Sequence, residues 1–135
     1  MINPSDIRSA QFLDTYYPIV DGVVTTVHNY ASLMNESAYS CVVTPRPLKG
    51  EYDDSGLGYE VYRTNSLKLP IAEYSIPTPK LDSSVKPFLS NRNLDIFHAH
   101  SPFTEGAFAA AYAKKLGIPS VGTFHSKYYD DAINI

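Results

Sequence analysis

Residues 95–124 read DIFHAHSPFTEGAFAAAYAKKLGIPSVGTF, and this stretch predicts a strand, a helix and a second strand. The strands are predicted at 94–100 and 120–124, two short apolar runs bounded by turn residues. Between them the spacing predicts a helix with Thr104 as its N-cap and Gly117 just past its end. A strand that returns through a helix to a second strand is the unit of parallel sheets. The stretch therefore predicts an α/β fold.

The rest of the chain continues this alternation of strands and helices. Further strands are predicted at 7–13, 40–44 and 59–64, and further helices at 23–34 and 81–89. Pro87 lies inside the last of these helices and predicts a kink or an early end. The Pro-rich segments NSLKLP and EYSIPTP on either side of residue 71 are expected to be extended connections. Together the elements predict a doubly wound, mostly parallel, Rossmann-like sheet.

The composition is that of an ordinary globular domain. The chain has 135 residues, a net charge of −3, 44% hydrophobic residues and a single cysteine. These values argue against a disordered segment, a strongly basic nucleic-acid binder and a disulfide-stapled secreted fold. No apolar run reaches the roughly 18 residues of a membrane span, and no signal-peptide pattern is visible, so we expect a cytoplasmic protein. The aromatic content is unusual, with 11 Tyr, 6 Phe and no Trp.

Ligands of open α/β sheets bind outside the carboxyl ends of the strands. In the predicted fold three loops meet there, and they cover residues 14–22, 98–104 and 125–129. Three of the four histidines fall in the last two loops. We therefore expect the functional site at this edge of the sheet.

The loop after the first strand carries none of the common nucleotide or hydrolase motifs. G-x-G-x-x-G, the P-loop and G-x-S-x-G are all absent from the chain. What remains is Asp21-Gly22-Val23 at the start of a helix. Glycine there lets a ligand approach the free N–H groups of the helix terminus, which favour anions. A plain turn glycine is the alternative.

The pair His98 and His100 lies at the end of a predicted strand, where residues two apart point to the same face. Three interpretations stay open. The pair could chelate a metal, His100 could be a hydrogen-bonding group in a cleft, or both could be core histidines bonded to the backbone. We expect His98 to be the core residue and His100 the exposed, functional one.

Two further cationic groups are candidates for binding at the same edge. Lys127 follows His125 and Ser126, and such a group of donors can hold an anion or a polyhydroxyl compound. A solvated loop lysine is the alternative. Arg63 ends the third predicted strand and either faces the cleft or forms an ion pair in solvent.

Three stretches in the predicted order resemble glycosyltransferase family 4. They are FLDTYYPIVDGVVTTV at 12–27, YEVYRTNS at 59–66 and DIFHAHSPFTEGAFAAAYAKKLGIPSVGTFHS at 95–126. The resemblance covers residues 7–131 and is to the N-terminal, acceptor-side Rossmann-like domain of these enzymes. Members of this family are retaining sugar-nucleotide transferases of GT-B architecture. The resemblance therefore implies the N-terminal half of a GT-B glycosyltransferase.

The resemblance assigns roles to single residues. Asp21, Gly22 and Val23 match the loop that approaches the phosphate or sugar of the donor. His100 matches the catalytic histidine that lines the cleft near the sugar and the acceptor. The positions implied on the acceptor side are Arg63, His98, Ser126 and Lys127. Neither a metal nor a resident cofactor is implied, because the nucleotide sugar is a co-substrate.

The resemblance also implies partners and a domain organisation. The donor is expected to be a nucleotide sugar, with UDP-hexose favoured, and the acceptor a lipid or another sugar. Residues 1–135 are expected to form an acceptor-side domain that is incomplete at its C-terminal end, with the nucleotide-sugar-binding domain absent. We accordingly expect this polypeptide alone to be inactive, and its uncovered apolar surface to favour self-association.

A peripheral contact with the inner face of the membrane is a further expectation. The predicted helix 81–89 carries Lys80, Lys86 and Arg92 beside its apolar stripe, and such a helix can lie on anionic lipid. Packing of this helix on its own sheet is the alternative.

Two other function classes compete with the transferase. A metal-dependent hydrolase is suggested by H-x-H-S at 98–101, although such a site needs three or four ligands. A non-catalytic binding module that keeps only the acceptor half is the other class.

Overall fold

A computed structural model of the chain describes residues 3–68, 75–123 and 125. It contains three α-helices, which are α1 (Gly22–Met34), α2 (Val85–Ser90) and α3 (Thr104–Leu116). The strands in these ranges are β1 (Arg8–Phe12), β2 (Tyr39–Pro45), β3 (Val61–Thr64), β4 (Ser66–Lys68), β5 (Ser75–Pro77), β6 (Ile96–Ala99) and β7 (Ser120–Gly122). Single 3₁₀ turns lie at Pro4–Asp6, Ser55–Leu57 and Pro79–Leu81.

The main sheet has five strands in the order β3-β2-β1-β6-β7, and every pair in it is parallel. The chain moves outward from β1 to β3 and then returns to the other side of β1. The strand order therefore reverses between β1 and β6, which is where ligands of such sheets bind. The predicted α/β, Rossmann-like fold is confirmed.

Helices cover both faces of this sheet. On one face α1 buries Val24 and Val27 against Val42 of β2. On the other face α2 and α3 pack against Phe12 and Phe97. Because their residues alternate between the two cores, β1 and β2 are buried on both faces, as parallel strands usually are.

The segments expected to be extended connections form a second sheet. Strands β4 and β5 pair antiparallel, with Leu67 opposite Ile76. The prediction of connections was therefore wrong in part, because two extended segments that lie side by side satisfy each other's backbone groups.

The helix predicted at 81–89 is shorter than expected. The chain forms a 3₁₀ turn ending at Leu81, and α2 begins only at Val85. Asp82 separates them, since its carboxylate accepts hydrogen bonds from the amides of Ser84 and Asn65. Pro87 lies in the first turn of α2, where no intrahelical N–H is needed, so the predicted kink or early end is wrong.

Candidate active site

The two loops at the switch point are joined by Asp14, which follows β1. One of its carboxylate oxygens accepts from the amide of Glu105 at 2.9 Å, and the other accepts from the hydroxyl of Ser101 at 2.7 Å. Asp14 thereby caps α3 from a distant part of the sequence. The prediction of Thr104 as the N-cap is wrong, because the helix already includes Thr104, and Phe103 precedes it.

The turn after β6 packs tightly on the first turn of α3. A side-chain carbon at Gly106 would lie 2.0 Å from the backbone oxygen of Ser101. Only glycine allows this approach, which brings the residue after His100 against the helix. Sequence reasoning did not single out Gly106.

His98 and His100 point to the same face of the sheet, as predicted. Their ring centroids lie 4.0 Å apart, and Tyr30 of α1 packs against both rings at 6.0 and 5.8 Å. The predicted exposure is wrong, because His100 is fully buried and His98 is only partly buried. The reason is that Tyr30 of α1 and His125 pack against the ring of His100 at the strand end. His98 bonds to the hydroxyl of Thr123 at 2.6 Å.

Both ring nitrogens of His100 are hydrogen-bonded. Nε2 lies 2.6 Å from Oε1 of Gln11, and Nδ1 lies 2.9 Å from Nε2 of His125. Burial, with His98 and His125 close by, lowers the pKa of His100 to about 3, so its ring is neutral at pH 7. Sequence reasoning missed Gln11, although a lone amide inside an apolar strand was a signal.

The predicted donor loop opens α1. The carboxylate of Asp21 accepts from the amide of Val24 at 2.8 Å, so this residue is a helix cap. Gly22 is exposed, and a side-chain carbon there would meet nothing within 4 Å. Within the described ranges, no acceptor is recorded for the amides of Gly22 and Val23. Among the described residues, the side of Gly22 on which a side chain would lie therefore faces open space.

Arg63 ties the loops on the other side of β1 together. Its guanidinium makes a two-point ion pair with Asp54, at 2.9 and 3.0 Å. It also donates to the carbonyls of Pro45 and Tyr17 at 3.1 and 2.8 Å. The side chain is only 13% exposed, so the alternative of an ion pair in solvent is wrong.

Five aromatic residues that contact one another lie beside this arginine, whose guanidinium is 5.9 Å from the ring centroid of Tyr16 and 5.7 Å from that of Tyr52. We call them the tyrosine cluster: Tyr16, Tyr17, His28, Tyr52 and Tyr59. The Tyr59 hydroxyl bonds to the Tyr16 hydroxyl and lies 2.8 Å from Nδ1 of His28. Burial raises the pKa of Tyr16, and it raises that of Tyr59 to about 12. Their hydroxyls are therefore neutral hydrogen-bonding groups at pH 7. The cluster accounts for four of the tyrosines whose number stood out in the composition.

A cavity of about 200 Å³ opens beside the tyrosine cluster, between the loops that follow β1 and β2, with Arg63 of β3 in its wall. Its lining includes Asp14, Ile19, Arg46, Lys49 and Arg63. This mixture of apolar and cationic groups at the carboxyl edge could hold a ligand with an anionic or hydroxylated part.

Ser126 and Lys127 lie outside the described residues. In the described ranges, no three histidine, cysteine or acidic side chains are placed to hold a metal ion together. The hydrolase alternative thus has no ligand set in this part of the chain. None of the described helices is both long and apolar enough to cross a bilayer.

Comparisons with known proteins point in one direction. An alpha-monoglucosyldiacylglycerol synthase of Acholeplasma laidlawii is 31% identical over 92% of this chain and 31% of its own length. A GDP-mannose-dependent alpha-mannosyltransferase of Corynebacterium glutamicum is 27% identical over 89% of this chain and 29% of its own length. A second alpha-monoglucosyldiacylglycerol synthase, from Streptococcus pneumoniae, is 24% identical over 92% of this chain and 28% of its own length. No solved structure matches the chain.

The chain therefore spans about a third of the length of the curated relatives it matches. The family model for Glycosyltransferase Family 4 matches residues 20–134. That match includes Asp21, Gly22 and Val23, the H-x-H motif at 98–100 and the residues that follow β7 in the sequence. The chain belongs to Glycosyltransferase Family 4.

Proposed function

We propose that this chain is the N-terminal, acceptor-side part of a retaining hexosyltransferase. The protein would move a hexose from a nucleotide sugar, with UDP-hexose favoured, to a lipid or sugar acceptor. The observation that carries the proposal is the open start of α1 at the switch point of a family 4 domain.

The donor would meet this chain at Gly22 and Val23. Gly22 and Val23 are the first two residues of α1, and the free amides at helix N-termini stabilise phosphate oxygens. Gly22 has no close neighbour and no left-handed backbone angle, so neither packing nor conformation requires glycine there. The open space beside Gly22 supports the proposal that a ligand approaches the backbone there.

His100 is the residue for which the resemblance implies catalysis. Its burial and two hydrogen bonds favour a neutral ring that shapes the cleft over a doubly protonated, cationic ring. Retention would then come from attack on the face that the diphosphate leaves, without a nucleophilic side chain of this chain. Such a mechanism depends on positioning and electrostatics.

The acceptor would occupy the cavity beside the tyrosine cluster, whose walls include Arg63. His98, Ser126 and Lys127 remain predicted acceptor-side residues. Two of the three relatives above are named as synthases of a glucosylated diacylglycerol, which supports a lipid acceptor.

A lipid acceptor would bring the protein to the inner face of the membrane. Lys80 and Lys86 are exposed, and Leu81 between them is 77% exposed. Lysines beside an exposed apolar residue suit an anionic bilayer surface. We expect vesicles with anionic lipid to sediment the full-length protein, and the double substitution Lys80→Glu and Lys86→Glu to abolish this. Absence of binding at low salt would contradict the contact.

The donor assignment is tested with Gly22→Ala in the full-length protein. The added methyl group has room in the fold but would enter the space proposed for the donor, so we expect the donor KM to rise about tenfold. Gly56→Ala is the matched control, because Gly56 is equally open but belongs to the 3₁₀ turn Ser55–Leu57 and not to the start of α1. Equal KM values for both variants, measured with UDP-glucose and GDP-mannose, would contradict the donor site.

The domain assignment has its own test. Residues 1–135 expressed alone should transfer no sugar, because the proposed second domain would hold the nucleotide. Measurable transfer by this polypeptide would overturn that assignment. If the full-length protein binds nucleotide sugars but transfers none, the binding-module alternative is correct.

A further inference from the structure

A line of hydrogen bonds runs from the cleft into the core through His125, His100 and Gln11. His125 Nε2 lies 2.9 Å from His100 Nδ1, and His100 Nε2 lies 2.6 Å from Gln11 Oε1. Exposure falls along the line, since His125 is partly exposed while His100 and Gln11 are buried. We call these three residues the relay.

The orientation of the Gln11 amide follows from its other contacts. Its nitrogen lies 3.2 Å from the hydroxyl of Ser40 and 3.8 Å from the sulfur of Met34. A thioether sulfur can only accept a hydrogen bond, so the NH₂ group must face Met34. The amide oxygen is therefore the atom that faces His100.

This orientation determines the tautomers along the relay. A carbonyl oxygen can only accept, so Nε2 of His100 must carry a proton. His100 is neutral, and its Nδ1 is consequently a lone pair that accepts from Nε2–H of His125. Nε2 of His125 must then carry a proton, and no described residue bonds to Nδ1 at the outer end of the relay.

We propose that Gln11 is a positioning residue, which fixes the tautomer and ring orientation of His100 and, through it, those of His125. The inference rests on the proposed transferase function, in which this end of the sheet contacts the sugar. A neutral His125 ring with its proton on Nε2 has a lone pair on Nδ1, which can accept a hydrogen bond from a sugar hydroxyl. Gln11 acts through the two histidines and does not contact the substrate.

The first test reads the tautomers directly. Nitrogen NMR of the full-length protein, labelled with ¹⁵N only at histidine, distinguishes protonated from unprotonated ring nitrogens. The His100 and His125 signals are assigned with His100→Asn and His125→Asn. We expect wild-type His100 to carry its proton on Nε2, and Gln11→Leu to lose this preference. Retention of the wild-type His100 signals in Gln11→Leu would overturn the proposal.

The second test reads turnover. We expect Gln11→Leu to lower kcat about tenfold with little change in the donor KM, because a misplaced ring affects the reacting geometry more than donor binding. Ser9→Ala is the matched control, since Ser9 is buried two residues earlier on the same face of β1. An equal loss in both variants would assign Gln11 a merely structural role and overturn the proposal.

A conservative variant covers the case in which Gln11→Leu does not fold. Gln11→Glu keeps an acceptor opposite Nε2 but adds a negative charge, which favours protonation of His100. The other titratable groups against the His100 ring are His98, His125 and Tyr30. We expect Nε2–H to persist and the acid limb of the kcat profile to move to higher pH. An unmoved limb would overturn the proposal. The NMR result stands even if no transfer is found, so the two proposals fail separately.

Discussion

The relay and the tyrosine cluster are held in different ways. Gln11 and the ring of His100 are neutral, and the order of the relay comes from donors and acceptors that match along a line leading into the core. The tyrosine cluster is organised around the charge of Arg63, which joins Asp54 and two backbone carbonyls. The charged side borders the cavity, whereas the relay lies against Met34 and Tyr30 of α1.

In the proposed sugar transfer, the relay and the tyrosine cluster would have different tasks at the carboxyl edge of the sheet. A neutral, fully bonded group keeps its geometry when a charged ligand arrives. A paired arginine keeps loops together while leaving an open cavity for a variable ligand. The following substitutions test whether the two sides are held as described.

The largest effect is expected from Gly106→Ala on the side of the relay. The new side-chain carbon would lie 2.0 Å from the oxygen of Ser101, so the turn that follows His100 must move. We expect a loss of about 4 kcal/mol in the free energy of unfolding, measured by urea denaturation. Gly56→Ala has open space and should change it by less than about 0.5 kcal/mol. A small loss for Gly106→Ala would show that the turn is not tightly packed.

Arg63→Met tests whether charge holds the other side. It removes the ion pair with Asp54 and two bonds to carbonyls, so we expect a loss of about 3 kcal/mol in urea. Arg92→Met is the control, because its partner Glu60 is 48% exposed and such pairs contribute less, about 1 kcal/mol or below. Similar losses for both variants would contradict a special role of Arg63.

Glu105 connects the two sides, since its carboxylate accepts from the Thr64 hydroxyl and its amide donates to Asp14. Burial raises its pKa to about 8. The folded state therefore keeps a proton that the unfolded state releases above about pH 4.3, and stability falls as pH rises towards 8. We expect a fall of roughly 2 kcal/mol between pH 5 and 8.

Glu105→Gln should remove this pH dependence, because the amide keeps an acceptor for Thr64 and cannot ionise. Urea unfolding at several pH values measures it. Glu36→Gln, at an exposed position, is the matched control and should leave the wild-type slope. A wild-type slope in Glu105→Gln would mean that another group causes the fall.

The smallest effect is expected from Tyr59→Phe, which removes only the hydroxyl shared by Tyr16 and His28. We expect a loss of about 1 kcal/mol, since the buried Tyr16 and the half-buried His28 each lose a hydrogen-bond partner. Tyr39→Phe loses a single bond to the exposed Glu60 and should cost less. The reverse order would indicate that the tyrosine cluster is held by ring packing alone.

Much of the fold was predictable because its signals are local. Alternating apolar runs and helix spacing placed all five strands of the main sheet within a few residues. The failures arose where distant residues decided the outcome. Asp14 replaced Thr104 as the cap of α3, and Asp82 separated Leu81 from α2 although the apolar spacing includes Leu81.

The candidate site divides in the same way. The sequence indicated His98, His100 and the start of α1, since a strand end and a helix start are local features. It gave no indication of how Arg63 is bonded, because its partners Asp54, Pro45 and Tyr17 come from three separate loops. Four of the 11 tyrosines gather there for the same reason.

By itself, the sequence determined the doubly wound sheet and the family, and it predicted the edge of the sheet at which we expect the site. Periodicity and short motifs act over a few residues, so they can be read without coordinates. Only the tertiary structure decided that His100 is buried and that Gln11 sets its tautomer. Burial and hydrogen-bond direction depend on which side chains meet across strands, and β1 and β6 bring together residues 89 positions apart.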